Sequence, residues 1–285
     1  MSATFAVSEA EIDALIAEDL PYGDLTTRAL GIDAAPGRIT FAARHPMVVC
    51  GVEEAARIMQ RMGASIGPAI ASGTHVARSE LLLAAEGPAS ALHGGWKIAQ
   101  TIMEWASGIA SAVAAIRAAA REAADHVQIA CARKAPPHSR RLAVKAVIAG
   151  GGQMHRLGLS ETILIFPEHL VFFDGEEAIA GAIARARCNA PERKIVIEVL
   201  DEAHAAEAAR AGADVIQLEK FAPEAVARVA AALAGRGSSR PLIAAAGGIQ
   251  VENAAAYATA GADILVTSAP YNAPSAEVRV CIERL

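Results

Sequence analysis

Hydrophobic and polar positions follow two different rhythms along this chain. From Val127 onward, short β-branched or apolar runs alternate with alanine-rich helical segments. Strands are predicted at residues 127–132, 162–166, 194–199, 214–218, 241–245 and 263–267. Helices are predicted near 140–149, 176–187, 202–211, 223–233 and 251–260. Such alternation builds repeated βα units and a parallel sheet. The tetrapeptide AGAD occurs at Ala211 to Asp214 and again at Ala260 to Asp263, and reads as a glycine that ends a helix just ahead of a strand. Six such units suggest an α/β barrel, which need not close, rather than an open sheet, and no dinucleotide-binding fingerprint follows any strand.

The first part of the chain has a different pattern. Ser8 followed by Glu11 predicts a capped helix over residues 9–19, with Ile12, Leu15 and Ile16 at helical spacing. Pro21 and Gly23 then break that helix within EDLPYGDLTT. GRITFAARHPMVVCG, from Gly37, reads as a strand, a turn and a second apolar stretch, followed by a helix over 52–62. Strands are predicted at 64–70 and 80–85, joined through Ser72-Gly73-Thr74, so this part is α plus β with mainly antiparallel pairing. Residues 88–124 read as almost continuous helix, broken near Ser107-Gly108.

Composition narrows the class. At 285 residues the chain is long enough for a large core, and its 53% hydrophobic fraction is inflated by alanine. No apolar run approaches the roughly 20 residues of a membrane-spanning helix, and the acidic amphipathic start lacks the features of a signal peptide, so a cytoplasmic location is expected. The four cysteines, Cys50, Cys131, Cys188 and Cys281, show no paired spacing for zinc or a redox couple, and most lie in or beside apolar runs, which favours buried thiols. A net charge of −5 with 4% aromatics excludes an ordinary nucleic-acid binder.

One stretch reverses that charge. Between His126 and Ser160 there is no Asp or Glu, yet Arg133, Lys134, Arg140, Arg141, Lys145 and Arg156 all occur. Cations gathered without counter-charges point to an anionic ligand, although on charge alone a solvated basic helix serves equally well. The barrel reading makes the patch more specific, because parallel barrels place their active sites at the C-terminal ends of the strands. Arg133-Lys134 follow the first predicted strand and His169 lies just past the second. Glu198 is near the end of the third, Glu219-Lys220 close the fourth, Ala246-Gly247-Gly248 end the fifth, and Thr267-Ser268 end the sixth. Strand-end carboxylates facing a basic cluster suit a divalent metal bridged to phosphates. Small residues at the last two ends allow backbone N–H groups to approach a phosphate.

In order along the chain, EDLPYGDLTT, SGIAS at Ser107, ARK with its proline turn, GGGxxHRLGLS, IEV around Glu198, QLEKF around Glu219 and AAGGI around Gly247 resemble the quinolinate phosphoribosyltransferases. ARKxxPxxRRLAVKAVxAGGGxxHRLGLSExxLxFxEH looks most like the molybdenum-transport-associated branch of that family. The resemblance implies an N-terminal α/β sandwich, residues 1–107, completed by the tail 275–285, followed by an open parallel α/β barrel, residues 108–274. It also implies a homodimer with a shared active site, to which the partner subunit contributes Lys97. Small-molecule substrates are implied, with Mg2+ as cofactor and phosphoribosyl pyrophosphate as co-substrate.

By the same resemblance Arg133, His155 and Arg156 match residues that hold the acceptor's carboxylates, with Phe166 and His169 beside them. Lys134 lies nearer the phosphates. Glu198 and Glu219 match the acidic pair for metal and ribose, and with Lys134 form the implied catalytic set. Ala246, Gly247, Gly248, Thr267 and Ser268 match the 5′-phosphate cradle. The chain departs from quinolinate enzymes where LIKDNH becomes LIFPEH, so that Phe166 stands at their lysine and Pro167-Glu168 at their Asp-Asn. Met154 stands at their Asn and Val144 at their helix lysine. The expected activity is transfer of a phosphoribosyl group to a small, anionic heterocycle with release of pyrophosphate. True quinolinate phosphoribosyl transfer in NAD biosynthesis, and non-catalytic binding of an oxyanion or cofactor linked to molybdenum transport, are the alternatives.

Overall fold

The computed structural model describes residues 7–173 and 178–285. The described residues form two compact units: those within Met1–Ala114, Ala135–Gly151 and Pro270–Leu285 make the first, and those within Ala115–Lys134 and Gly152–Ala269 make the second.

The first unit begins with α1 (Glu9–Asp19), capped reciprocally as its sequence predicts: the Ser8 N–H donates to Glu11 Oε2 at 2.7 Å and the Glu11 N–H donates to Ser8 Oγ at 3.3 Å. A short helix that the pattern did not reveal, α2 (Leu25–Ala29), starts on Asp24, whose carboxylate accepts from the Thr26 and Thr27 N–H groups. Then come β1 (Pro36–Ala43), β2 (Met47–Val48), α3 (Val52–Arg61), β3 (Ser65–Ala69), β4 (His75–Val76), β5 (Leu81–Pro88) and the long α4 (Ala89–Ala123). β1 lies between β5 and the C-terminal strand, giving an antiparallel sheet whose fourth strand is β3. Alternate residues of β1 and β5, including Ile39, Phe41 and Leu83, turn inward against Val52, Ala55 and Met59 of α3 and Leu92 and Met103 of α4.

α4 runs through Ser107-Gly108 without the expected break. Tertiary contacts override the local preference there. Ser107 Oγ accepts from the Cys50 N–H at 2.9 Å and donates to the Cys50 carbonyl at 3.2 Å. A Cβ on Gly108 would come within 2.5 Å of the Pro274 carbonyl, so glycine is what allows the close approach.

Beyond α4 lie β6 (Gln128–Cys131), α5 (Arg140–Ala149), β7 (Gln153–Met154), β8 (Ile163–Ile165), α6 (Pro167–Leu170) and α7 (Ala178–Asn189). The chain then alternates regularly through β9 (Ile195–Val199), α8 (Glu202–Arg210), β10 (Val215–Glu219), α9 (Pro223–Leu233), β11 (Leu242–Ala246), α10 (Val251–Thr259) and β12 (Ile264–Thr267), and ends on β13 (Val278–Arg284). Glu176 and Glu177, where a helix start is predicted, lie outside the described residues. The two-residue β7 is a strand that the pattern did not reveal.

α5 corrects the reading of the basic stretch. Lys145 is only 8% exposed. Its ammonium lies 2.9 Å from Glu53 Oε2 and 2.5 Å from Glu54 Oε2, both on α3. Arg141 lies 3.7 Å from Glu11 of α1. These cations face carboxylates distant in sequence, so the absence of local acids did not mean the absence of partners. The cysteine expectation is corrected too: Cys50 and Cys131 are buried, their thiols pushed up to about 12 by burial, but Cys188 and Cys281 are exposed. Cys281 sits on the outward face of β13, where strand alternation turns it away from the core.

In the second unit seven parallel strands run in the order β7-β6-β12-β11-β10-β9-β8. The first strand in sequence, β6, pairs with the last of the series, β12, as in a barrel, while β7 and β8 are left as edges. The result is a curled, open parallel α/β half-barrel. Period-2 alternation gives it two apolar layers. Ile195, Ile197, Ile216, Leu218, Ile243 and Leu265 pack outward with Ile183, Ala208, Val226 and Tyr257 of the helices. Ala130, Leu164, Val196, Val215, Ala244, Ala246 and Val266 fill the inside.

The AGAD repeats have a second use at the N-terminal ends of the strands. Gly212 and Gly261 take φ of +84° and +93°, as helix-ending residues do. Asp214 accepts from the Ile195 N–H at 2.8 Å, and Asp263 from the Ile243 N–H at 2.7 Å. Arg187 and Arg240 also bind these carboxylates, each at 2.7 Å. Both aspartates therefore pin neighbouring strand starts at the stabilising end of the sheet.

Candidate active site

The opposite, C-terminal ends carry the polar residues, and strand periodicity explains which of them point inward. Two residues past Leu164 is Phe166, which packs against the inner layer. Two past Val196 is Glu198, and two and four past Val215 are Gln217 and Glu219. Gln217 stands opposite Glu198 in the parallel register of β10 and β9, and its Nε2 donates to Glu198 Oε2 at 2.6 Å.

The half-buried Glu198 carboxyl is pushed above the ordinary range, first by burial. Glu219 and Glu168 add to this by repulsion, while the Gln217 hydrogen bond and Lys134 oppose it. Glu198, Glu219, Glu168 and Lys134 therefore share one electrostatic neighbourhood. A second group joins Arg133, Arg156, Phe166 and His169. Burial, and then the positive charge of Arg133, lower the pKa of Arg156. The Arg156 guanidinium carbon is 5.6 Å from the centre of the Phe166 ring. His155 follows β7, and its N–H donates to the Cys131 carbonyl at 2.9 Å, so the short strand that pairs with β6 sets this corner. Burial, and then Arg156, lower the His155 pKa, which keeps the imidazole neutral at pH 7.

His169 is oriented by the backbone. The Phe166 N–H donates to its Nδ1 at 2.9 Å, and the two rings stack with centroids 5.8 Å apart and planes at 14°. In the neutral ring the proton is thereby confined to Nε2, leaving a single donor.

The glycine turn after β11 is shaped by close approach. Gly247 and Gly248 have φ of +87° and +79°. A Cβ on Gly247 would come within 2.6 Å of Lys220 Cγ and 3.0 Å of Glu219 Oε1, whereas Gly248 faces open space. Asn253 fastens the turn, donating from Nδ2 to the Gly248 carbonyl at 2.9 Å. Thr267 Oγ1 donates to the Ile249 carbonyl at 2.8 Å and accepts from the Ala269 N–H at 3.1 Å. Its hydroxyl thus braces the turn from within, while Ser268 continues the inward register of β12. Gly247→Ala is expected to destabilise the protein by about 1–2 kcal/mol through its left-handed backbone alone, read as a lower midpoint in urea.

The structure brings together Arg133, Arg156 and Phe166, couples Glu198 to both Lys134 and Glu219, and places Ala246 at the end of β11 with Gly247 and Gly248 directly after it. Lys97 belongs to the first unit, where its ammonium lies 4.5 Å from the Trp96 ring centre and 3.3 Å from Gln100 Oε1. Sequence reasoning missed Gln217 and Asn253. Gln217 was legible as a polar residue at the inward period between Val215 and Glu219, and Asn253 as the third position of a capping pattern begun by Gln250.

Fold and site together define an open α/β half-barrel that gathers carboxylates, guanidinium groups and a glycine turn at the C-terminal ends of its strands. Family models named for the quinolinate phosphoribosyl transferase C-terminal and N-terminal domains match residues 109–280 and 24–107. The chain belongs to the quinolinate phosphoribosyltransferase family. It is 51% identical over 252 residues to a Rhodobacter capsulatus protein that carries the provisional name pyrophosphorylase ModD, covering 88% of this chain and 96% of the relative. A like-named Escherichia coli O6:H1 protein is 39% identical over 280 residues, covering 97% of each. A Methanothermobacter thermautotrophicus protein, provisionally named nicotinate-nucleotide pyrophosphorylase [carboxylating], is 29% identical over 254 residues, covering 88% of this chain and 90% of the relative. Among solved structures, the nicotinate-nucleotide pyrophosphorylase of Francisella tularensis shares the fold with a TM-score of 0.89 at 19% identity, covering 99% of this chain and all of the other. NadC of Streptococcus pyogenes matches with a TM-score of 0.88 at 25% identity, covering 97% of this chain and 96% of the other. Among the described residues no helix is long and apolar enough to cross a membrane.

Proposed function

We propose that this protein is a magnesium-dependent phosphoribosyltransferase of the cytoplasm that joins phosphoribosyl pyrophosphate to a small anionic heterocycle and releases pyrophosphate. The observation that carries this reading is the pairing of Glu198 and Glu219 on adjacent strand ends, with the glycine turn against Glu219 and the guanidinium pair Arg133 and Arg156 in the same mouth. Glu198 forms no ion pair among the described residues, and its carboxyl is raised first by burial and then by the neighbouring carboxylates of Glu219 and Glu168, which leaves room for a cationic centre.

Among the described residues no three His, Cys, Asp or Glu side chains cluster as a protein-only metal cage. That fits magnesium, a hard cation usually held through one or two carboxylates together with substrate phosphates and water. Glu198 and Glu219 would hold it, and the metal would supply charge neutralisation of the pyrophosphate. The remaining work falls to the chain. The Gly247 and Gly248 N–H groups would receive the 5′-phosphate, and Lys134 would sit toward the pyrophosphate. The two glutamates would stabilise positive charge as the bond from ribose C1 to pyrophosphate breaks and a bond from C1 to the acceptor nitrogen forms.

Arg133 and Arg156 would bind the acceptor's carboxylate, with neutral His155 beside them and the His169 Nε2–H available as a donor. Lys97, whose neighbours lie in the other unit, is assigned to the site of a partner subunit in a homodimer. Phe166 places an aromatic ring where quinolinate enzymes carry a lysine, which favours an acceptor with fewer negative charges than quinolinate. Phe166→Lys is accordingly expected to lower KM for quinolinate by about tenfold, the worth of one hydrogen bond to a charged group, measured by pyrophosphate release.

A thermal-shift screen of heterocyclic monoacids and molybdenum-related ligands, with and without magnesium and phosphoribosyl pyrophosphate, tests the assignment. Acceptors should raise the midpoint by mass action, and their turnover should release pyrophosphate. Shifts confined to oxyanions, without effect of phosphoribosyl pyrophosphate, would favour the binding-protein alternative linked to molybdenum transport. Efficient turnover of quinolinate by the unmodified protein would place it in NAD biosynthesis.

A further inference from the structure

Gln217 is a polar side chain in the barrel interior whose presence neither packing nor strand formation explains. It occupies a position that Val215, below it, shows to be suited to an apolar side chain. It is 4% exposed, and its Oε1 is buried with no hydrogen-bond partner among the described residues. An orphaned buried carbonyl is a net cost to folding, which an apolar side chain of the same shape would not carry. Among the described residues the one polar contact of the side chain is the 2.6 Å hydrogen bond from Nε2 to Glu198 Oε2.

We propose that Gln217 is a positioning residue: at the cost of an unsatisfied acceptor, it fixes one oxygen of Glu198 so that the other faces the barrel mouth. The register supports this, because Gln217 and Glu198 are direct neighbours across the parallel strands β10 and β9. It also divides labour between the two acids. Glu198 is anchored from below, whereas Glu219 is bounded by the Gly247 turn, where a Cβ would meet its Oε1 at 3.0 Å. Gln217 holds Glu198 by donating without adding charge, which a lysine or arginine at the same place would not do. Its consequence for ligand binding rests on the phosphoribosyltransferase reading above, but its effect on the position of Glu198 does not.

The test uses Gln217→Met, an apolar replacement of similar length, in the full chain. Three quantities are compared with the unmodified protein: thermal midpoint without ligand, the Glu198 conformation in a crystal structure, and the Kd of phosphoribosyl pyrophosphate with magnesium by calorimetry. The expected outcome is a midpoint at or above that of the unmodified protein, a Glu198 carboxylate moved from its place, and a Kd weakened roughly ten- to a hundredfold. An unmoved Glu198 in the variant overturns the proposal, as does a lower midpoint with unchanged Kd, which would mark Gln217 as a core residue only. If the unmodified protein itself fails to bind phosphoribosyl pyrophosphate, the functional reading falls, while the crystal comparison still decides whether Gln217 positions Glu198.

Discussion

Glu198→Gln is expected to lose turnover by roughly a hundredfold to a thousandfold, the usual effect of deleting one preorganised electrostatic partner of a transition state. The substitution is nearly isosteric and retains a hydrogen-bonding partner for Gln217. What it removes is negative charge at the end of β9, where positive charge would develop on the ribose. Arg133 and Arg156 lie in a separate electrostatic group, so acceptor affinity should stay within a few-fold of the unmodified protein. Steady-state pyrophosphate release gives the first quantity, and acceptor titration by calorimetry the second. Unchanged binding of every ligand would instead describe an anion sensor whose acidic pair is idle.

The second large effect concerns stability. Lys145→Ala is expected to cost about 3–5 kcal/mol, because removing one partner of a buried ion pair leaves the other charge uncompensated. Here two carboxylates would be stranded, and Glu54 already has one buried oxygen without a partner among the described residues. Burial alone would push Glu53 upward, but hydrogen bonds from Lys145 and Ser72 outweigh it and hold Glu53 down at about 2. For Lys145, burial acts downward and is outweighed by Glu53 and Glu54, so its pKa is raised. The depressed Glu53 contributes stability that is present above its ordinary 4.5 and is lost as pH falls toward about 2. The raised Lys145 contributes stability that is complete at neutral pH and is lost only as pH rises beyond its ordinary 10.5. Urea midpoints of the unmodified protein should therefore change little on account of this cluster between pH 5 and 9, limits of roughly half a unit or more inside those values. The deficit of Lys145→Ala should shrink on acidification, as the stranded carboxylates take up protons. A deficit below about 1 kcal/mol at pH 7 would show that the pair behaves as a surface salt bridge.

The barrel was legible because its strands are short, apolar and separated by amphipathic helices, and the six predicted strands all appear in the seven-stranded sheet. The seventh, β7, has two residues and a backbone bond to β6, which no periodicity can reveal. Site residues were legible where strand ends made them conspicuous, as with Glu198, Glu219 and the Gly247-Gly248 turn. Gln217 hid inside VIQLE, since its role depends on the neighbouring strand. Lys145 misled for the same reason in reverse: its counter-charges, Glu53 and Glu54, are about ninety positions away in sequence. Local charge counting sees only the chain's own neighbourhood, whereas burial and pairing are settled by the fold. The continuous α4 teaches the same lesson, because Ser107 and Gly108 are held by partners at Cys50 and Pro274 rather than by helix propensity.

Calorimetric titration of phosphoribosyl pyrophosphate into the protein in the presence of magnesium tests whether the acidic pair and the glycine turn hold that ligand. Saturable binding below millimolar concentration is predicted, weakening when magnesium is removed and lost in Gly247→Val. No heat of binding at millimolar ligand, from a folded protein in the presence of magnesium, would contradict it.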